Sequence, residues 1–262
     1  MKCFIHIPKC AGLYIRSKLE TYDDTDGAFS SRVEPHPELG VLDYVHIPLF
    51  TLRDYFPQEY AKVAEYWSFS VVRDPYKRFP SSLTQLFRMY ADERIEEKST
   101  REIRAKVDEV IDFLSGMSGK NSRLPAEYVH FQRQVDYVYV DGERIVDTAV
   151  PIDRFDVLET AFYQHTGLVM NLGREDSKVN QQIPVMRNDF LKQAIESVRP
   201  YTGLLTKIIP EHTKEKIRAY IYVPRDRRFN AIFESDYVKD FIKDYYRDDI
   251  RMFEEETARL TR

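Results

Sequence analysis

The chain has 262 residues, and its 39 Lys and Arg against 43 Asp and Glu give a formal net charge of −4. This balance excludes a strongly basic protein that binds nucleic acid through a surplus of cations. Hydrophobic residues make up 43% and aromatic residues 13% of the chain, which is too much apolar surface for a disordered protein. Since no Pro/Gly/Ser-rich stretch divides the sequence, we expect residues 1–262 to form a single domain.

Neither the apolar runs nor the cysteines indicate a membrane or secreted protein. No apolar run reaches the roughly 20 residues that a membrane-spanning helix needs. The apolar N-terminus is too short for a signal peptide and has no cleavage site after it. Cys3 and Cys10 have the wrong spacing for a redox pair or a zinc site. We therefore expect a cytoplasmic protein without disulfides.

The order strand, loop, helix occurs twice in the first half of the chain. Residues 3–7 form an apolar run that predicts a strand, and a Pro-Lys-Cys-Ala-Gly turn joins it to a helix over about 13–21. Residues 68–72 predict a second strand, and a charged turn leads from it to a helix over 80–90. Such units predict an α/β fold with a mostly parallel sheet between helices, whose ligands bind at the carboxyl ends of the strands. The two loops should therefore lie near each other.

The middle of the chain contains an amphipathic helix and a hairpin. Apolar residues recur at helical spacing over residues 100–114. Residues 135–140 and 144–146 read as two strands that join at the turn Asp141-Gly142.

Helices are also predicted towards the C-terminus. Residues 155–165 indicate a helix that ends at Gly167. Ser235 is expected to cap one long terminal helix. Residues 173–234 show no pattern that assigns their structure.

The first loop, residues 8–12, has the composition of an anion site. Free N–H groups at a helix start favour a phosphate, Ala11 and Gly12 allow its close approach, and Lys9 adds a positive charge. The loop lacks the spacing of a Walker A motif and has no Ser or Thr after the Lys to hold Mg²⁺, which disfavours an ordinary NTPase. Taken alone, Lys9 is better explained as an exposed lysine in a turn.

The second loop offers Arg73 at the end of a strand and Ser81 in the first turn of the next helix. A guanidinium fork and a hydroxyl can hold a second phosphate, so the two loops together imply a doubly phosphorylated ligand. The simpler interpretations are an ion pair between Arg73 and Asp74 and a helix cap at Ser81.

These residues resemble a known family. Residues 4–12, Phe-Ile-His-Ile-Pro-Lys-Cys-Ala-Gly, resemble the 5′-phosphosulfate-binding loop of sulfotransferases, and residues 71–81 resemble their 3′-phosphate-binding motif. The order and separation of the two motifs are similar to the carbohydrate branch, which includes the heparan 2-O-sulfotransferases and many bacterial members. Weaker likeness extends to Gln132, to residues 150–158 and to residues 245–249.

The resemblance implies a three-layer αβα fold of the P-loop-NTPase-like sulfotransferase type. It implies transfer of a sulfuryl group from 3′-phosphoadenosine 5′-phosphosulfate (PAPS) to an acceptor hydroxyl, which leaves adenosine 3′,5′-bisphosphate (PAP) and needs no metal. Lys9 would contact the 5′-phosphate and the bridging oxygen, while Arg73 and Ser81 would hold the 3′-phosphate. The acceptor implied by the branch is a carbohydrate, either a glycan or a glycolipid. The remaining implied cofactor contacts are Cys10, Ala11, Gly12, Leu13 and Tyr14.

His46 is the candidate catalytic base for the acceptor hydroxyl. A neutral imidazole suits proton abstraction near pH 7, and a histidine at this place serves as the base in the resembling family. The simpler interpretation is a histidine at a strand end that bonds a backbone carbonyl. His36 lies in a Pro-rich surface turn. The remaining histidines have no second ligand at metal spacing and are interpreted as structural: His6, His130, His165 and His212.

The first loop also departs from the family pattern. Members usually have Thr in place of Cys10 and small hydroxyl residues in place of Leu13 and Tyr14. Cys10 is either a spacer beside the phosphate, which we favour, or a reactive thiol at a helix N-terminus. Two alternative functions stay open on these grounds: a nucleotide-dependent phosphotransferase, and a binding protein that has lost catalysis.

Overall fold

The computed structural model describes residues 2–30, 32–90, 95, 98–117, 122–172 and 227–260. The strands in chain order are β1 (Lys2–Ile5), β2 (Val33–His36), β3 (Gly40–Asp43), β4 (Trp67–Val72), β5 (Tyr139–Val140), β6 (Glu143–Arg144) and β7 (Thr148–Pro151). The α-helices are α1 (Gly12–Leu19), α2 (Leu49–Tyr55), α3 (Pro57–Glu65), α4 (Pro75–Tyr90), α5 (Thr100–Gly116), α6 (Phe155–Thr166), α7 (Arg227–Phe233), α8 (Asp236–Tyr245) and α9 (Arg247–Arg259).

Three parallel strands form the central sheet, in the order β1-β4-β7. Phe69 of β4 lies opposite Phe4 on one side and Thr148 on the other. The central strand is buried from Ser68 to Val72 because helices cover a parallel sheet on both faces, and its apolar residues Phe69, Val71 and Val72 are fully buried. The prediction of an α/β fold with a parallel sheet is confirmed. Within the described ranges, no helix has both the length and the apolar composition to cross a bilayer.

The two strand-loop-helix units are β1-α1 and β4-α4. The second helix begins at Pro75, so the prediction of a start at residue 80 was wrong. The Asp74 carboxylate accepts the N–H of Tyr76 at 2.9 Å and caps the helix, and Pro75 suits the first helical position. Pro80 therefore lies inside α4.

The two helices predicted next are confirmed. A capping box between Ser99 and Glu102 starts α5, and its apolar face is buried as expected. Gly167 ends α6 in the left-handed conformation, at φ 69°.

The predicted hairpin is shorter than expected. Asp141 and Gly142 both have positive φ, as a tight two-residue turn requires, and they join β5 to β6. Residues 134–137, however, form a 3₁₀-helix in place of the first half of the predicted strand. The Asp249 carboxylate accepts the N–H groups of Gln134 (2.8 Å) and Val135 (2.9 Å), which removes these donors from a strand ladder.

The predicted long terminal helix is two helices, α8 and α9, which meet at Tyr246. The Tyr246 hydroxyl is buried and donates to the carbonyl of Phe131 at 2.8 Å, which fixes the junction against the body of the protein. Ser235 stands at the N-cap position of α8, but its hydroxyl donates to the Ile232 carbonyl and does not cap the helix. Of the segment left unassigned from the sequence, residues 173–226 lie outside the described residues.

Candidate functional site

A cavity of about 850 Å³ opens at the carboxyl ends of β1 and β4. The two loops that the sequence placed near each other meet here. A guanidinium nitrogen of Arg73 donates to the Lys9 carbonyl at 3.2 Å, and Nε of Arg78 donates to the Pro8 carbonyl at 3.1 Å. Eight of the predicted site residues line this cavity: Lys9, Ala11, Gly12, Leu13, Tyr14, His46, Arg73 and Ser81.

The backbone of the first loop adopts an unusual conformation. Lys9 and Ala11 both have positive φ, at 63° and 61°. Non-glycine residues in this region cost roughly 1–3 kcal/mol each, and such strain is concentrated at ligand sites. Turns that alternate between right- and left-handed residues direct successive N–H groups into an anion-binding concavity. α1 begins at Gly12, and Gly12 and Leu13 at its start line the cavity, whereas the N–H of Tyr14 donates to the Ala11 carbonyl at 3.0 Å.

Gly12 is required by a close approach within the protein itself. A Cβ atom at this position would lie 1.8 Å from Cδ2 of His6. The imidazole of His6 therefore occupies the space that a side chain at position 12 would fill. This contact is a second reason for glycine at position 12, besides the close approach of a phosphate expected from the sequence.

Lys9 lies close to the positive charges of three arginines. Its Nζ donates to Oε1 of Gln85 at 2.9 Å. Burial, together with the positive charges of Arg88, Arg73 and Arg78, lowers the pKa of Lys9 to about 8. The ammonium is thus still charged at neutral pH, and an anion bound in the cavity relieves the repulsion. This electrostatic arrangement fits a phosphate-bearing ligand.

Arg73 is held in place by Gln134. The backbone N–H of Arg73 donates to Oε1 of Gln134 at 2.8 Å, and Nε2 of Gln134 donates to the Arg73 carbonyl at 2.7 Å. Ser81 lies in the second turn of α4, because the helix begins at Pro75, and not in its first turn as predicted. The free N–H groups of the helix start therefore do not surround the same point as the Ser81 hydroxyl.

Cys10 is not among the residues that line the cavity. It is 1% exposed, and its thiol contacts Oε1 of Gln134 at 3.3 Å. Burial raises the pKa of this thiol to about 11, which disfavours the alternative of a reactive thiolate and fits a spacer beneath the loop. Leu13 and Tyr14, the other two positions that depart from the family pattern, differ in exposure. Leu13 is 64% exposed, whereas Tyr14 is buried against Phe155.

His46 is paired with a carboxylate that the sequence analysis did not identify. Its Nδ1 lies 2.9 Å from Oδ2 of Asp43, and both side chains are buried. Oδ1 of Asp43 also accepts the N–H of Val45 at 3.2 Å, and the Tyr137 hydroxyl donates to the His46 carbonyl at 3.1 Å. When Nδ1–H donates to the carboxylate, Nε2 carries the lone pair and can accept a proton. The side chain of His46 bonds a carboxylate, and the simpler reading of a bond to a backbone carbonyl is not what the structure shows.

Two further imidazoles pack against His46. The ring centroids of His6 and His130 lie 4.6 Å and 5.2 Å from that of His46. Burial and the neighbouring positive charges lower the pKa of His130 to about 2 and the pKa of His6 well below its usual value, so both rings are neutral. Their Nδ1 atoms are buried and have no hydrogen-bond partner among the described residues. Both histidines are predicted to be structural, and their contact with the candidate base could not be predicted, because the fold brings the three rings together from distant positions in the sequence.

Asp43, His46 and His130 are also the described residues whose ligand atoms lie close enough, within 4.8 Å of one another, to hold a metal ion. The Nδ1 atom of His46 is already bonded to Asp43, and the positive charges of Lys9 and Arg78 act on His130. These charges oppose a bound cation, so the group fits a base with its orienting carboxylate better than a metal site. The expectation of a reaction without metal stays a prediction.

The other histidines have local roles where the structure describes them. Nδ1 of His36 accepts the N–H groups of Glu38 and Leu39 in the turn after β2. His165 stacks on Trp67 with ring centroids 4.6 Å apart. His212 lies outside the described residues.

Comparison of the chain with known proteins gave no matching family model, no matching curated protein and no matching solved structure. The resemblance to sulfotransferases therefore rests on the residues of the two loops.

Proposed function

We propose that the protein is a sulfotransferase that uses PAPS to sulfate an acceptor hydroxyl. One observation carries this proposal: Lys9, His46, Arg73 and Ser81, which come from three separate segments of the sequence, line the same cavity. Two phosphate-binding groups beside a candidate base are what a sulfuryl transfer from a doubly phosphorylated nucleotide requires.

The residues of the cavity fit the chemistry of the nucleotide. Lys9 and the strained backbone of the first loop would hold the 5′-phosphosulfate, and Arg73 and Ser81 would hold the 3′-phosphate. Arg88 adds to the positive charge that acts on Lys9. These groups supply a planar guanidinium, an ammonium, a hydroxyl and backbone N–H donors, and all of them favour phosphate oxygens.

PAPS, when bound, supplies the sulfuryl group: an S–O bond forms to the acceptor oxygen, and the S–O bond to the 5′-phosphate breaks with its electron pair left on that phosphate. Lys9 stabilises the negative charge that develops on the departing phosphate. Nε2 of His46 takes the proton of the acceptor hydroxyl. Asp43 holds the ring of His46 in the required tautomer and stabilises the imidazolium that forms.

The test is calorimetric binding of PAP, the nucleotide product, to the wild-type protein and to Arg73→Ala. We expect tight binding in the wild type and a loss of about tenfold or more in the variant, because a charge-assisted hydrogen bond contributes about 1.5–3 kcal/mol. Arg251→Ala is the matched control, since Arg251 is an exposed cation on α9 that pairs with Asp248 at 3.6 Å. This control should bind PAP as the wild type does.

ATP with Mg²⁺ serves as the competing ligand in the same experiment. Tighter binding of ATP than of PAP would favour a phosphotransferase. No binding of PAP at any concentration would leave a fold without the proposed nucleotide and would overturn the proposal.

A further inference from the structure

A second cavity, of about 630 Å³, lies next to the first. It is enclosed by β1, by one side of α1 and by α2 and α3, and we call it the side chamber. Three residues line both the side chamber and the nucleotide cavity: His6, Leu13 and Val45. The ring of His6 lies 4.6 Å from that of His46, so a residue of the side chamber wall packs directly against the candidate base.

The inner wall of the side chamber is apolar and aromatic. Phe69 and Leu49 at its floor are fully buried, and Val63 faces it from α3. Aromatic rings contribute further wall surface through Phe4, Phe29 and Tyr44. A cavity with such walls binds an apolar body, and aromatic walls favour a ring.

Charged residues surround the mouth of the side chamber, and they do not favour an anion. Four carboxylates, those of Glu20, Asp23, Asp24 and Glu59, stand there against three cations, Lys2, Arg16 and Lys62.

The three cations have partners within the protein. Lys62 lies 3.9 Å from the Asp24 carboxylate, Arg16 donates to the Phe29 carbonyl at 2.8 Å, and Lys2 lies 4.0 Å over the ring of Tyr22. An acidic glycan would meet excess negative charge at this entrance.

We propose that the side chamber binds the acceptor, and that the acceptor is an uncharged aromatic alcohol instead of an anionic glycan. The ring would lie between the apolar walls, and the hydroxyl would pass His6 and Val45 to reach Nε2 of His46. This inference rests on the proposed function for its catalytic meaning, and it narrows the acceptor from any hydroxyl compound to one with an apolar ring.

The experiment measures binding of 2-naphthol to the full chain saturated with PAP, by calorimetry. Ser17 lies on α1, is exposed and lines the side chamber, so Ser17→Trp fills the chamber from an exposed position. The matched control is Lys18→Trp, which places the same side chain on the next residue of the helix, outside the chamber lining. We expect 2-naphthol to bind the wild type and Lys18→Trp with equal affinity. It should bind Ser17→Trp at least about tenfold more weakly.

A second measurement does not depend on the variants. A sulfated heparan-type oligosaccharide is titrated into the wild type under the same conditions, and we expect no binding that competes with 2-naphthol. Binding of the oligosaccharide without binding of 2-naphthol would overturn the inference, as would equal 2-naphthol affinities in the wild type and Ser17→Trp. PAP binding is measured separately, so that a failure of PAP to bind counts against the proposed function alone. If 2-naphthol binds although PAP does not, the side chamber is a ligand site that serves another reaction.

Discussion

Lys9 combines two properties that work against each other. It is partly buried beside three arginines, so its charge is disfavoured, yet the loop that carries it has the left-handed residues that favour an anion site. A pKa of about 8 leaves the ammonium charged at neutral pH but close to losing its proton. A bound phosphate restores the balance of charge and raises this pKa.

The pH dependence of nucleotide binding follows from this shift. Below about pH 8 Lys9 already carries its proton, so PAP affinity is insensitive to pH. Above that value binding must take up a proton, because the pKa is higher in the complex, and the association constant should fall towards about tenfold per pH unit. Calorimetry between about pH 7 and pH 9.5, in two buffers of different ionisation enthalpy, measures both the affinity and the proton uptake.

Lys9→Arg is the control, because a guanidinium stays charged over this range. The variant should bind PAP with a flat pH profile. An identical decline in the wild type and in Lys9→Arg would show that another group is responsible.

Single residues of the site could be predicted to very different degrees. Lys9, Arg73 and Ser81 lie in short motifs next to predicted strands, so local sequence was enough to place them at one edge of the sheet. Asp43 could not be found in this way, although it stands only three residues before His46, because nothing in the sequence shows which polar group the imidazole bonds. Gln134 could not be predicted either. It bonds the backbone of Arg73 at the end of β4, although the two residues are 61 positions apart in the sequence.

At the scale of elements, the strand-loop-helix units were predictable because their apolar periodicity is strong. Their boundaries were not, since caps and competing hydrogen bonds decide them. Asp74 starts α4 earlier than Pro80 suggested, and Asp249 replaces part of a predicted strand with a 3₁₀-helix. The junction of β1 with α1 depends on one further contact that the sequence does not show, the approach of His6 to Gly12.

Gly12→Ala tests this junction. A Cβ at 1.8 Å from the His6 ring forces the ring or the helix start to move, and overpacking of this kind costs about 1–3 kcal/mol. The free energy of unfolding in urea should fall by that amount. In the background of His6→Ala, which removes the ring, the same change should cost less than about 1 kcal/mol. Equal costs in both backgrounds would contradict the contact.

At the scale of the whole molecule, one buried ion pair connects α9 to the loop of residues 8–12. Arg78 is fully buried and donates to the carbonyls of Pro8 and His130. A guanidinium nitrogen of Arg78 lies 3.9 Å from Asp249 of α9, which also holds the backbone of Gln134. Residues far apart in sequence thus fix both loops of the site, and this connection was beyond prediction from local patterns. The resemblance indicated residues 245–249 as a landmark but not what they contact.

Asp249→Ala removes the centre of this connection. It leaves the Arg78 guanidinium buried without its carboxylate and the N–H groups of Gln134 and Val135 without their acceptor. Loss of one partner of a buried pair costs about 3–5 kcal/mol, which urea unfolding measures as a lower midpoint. Asp248→Ala removes a carboxylate from the neighbouring position, where the ion pair with Arg251 is exposed, so it should cost less than about 1 kcal/mol. If the two variants unfold at the same urea concentration, Asp249 does not hold the site together. If only Asp249→Ala is destabilised, and the same PAP concentration raises its midpoint less than that of the wild type, α9 supports the two loops of the site through Arg78, because a ligand stabilises the folded state more when it binds that state more tightly.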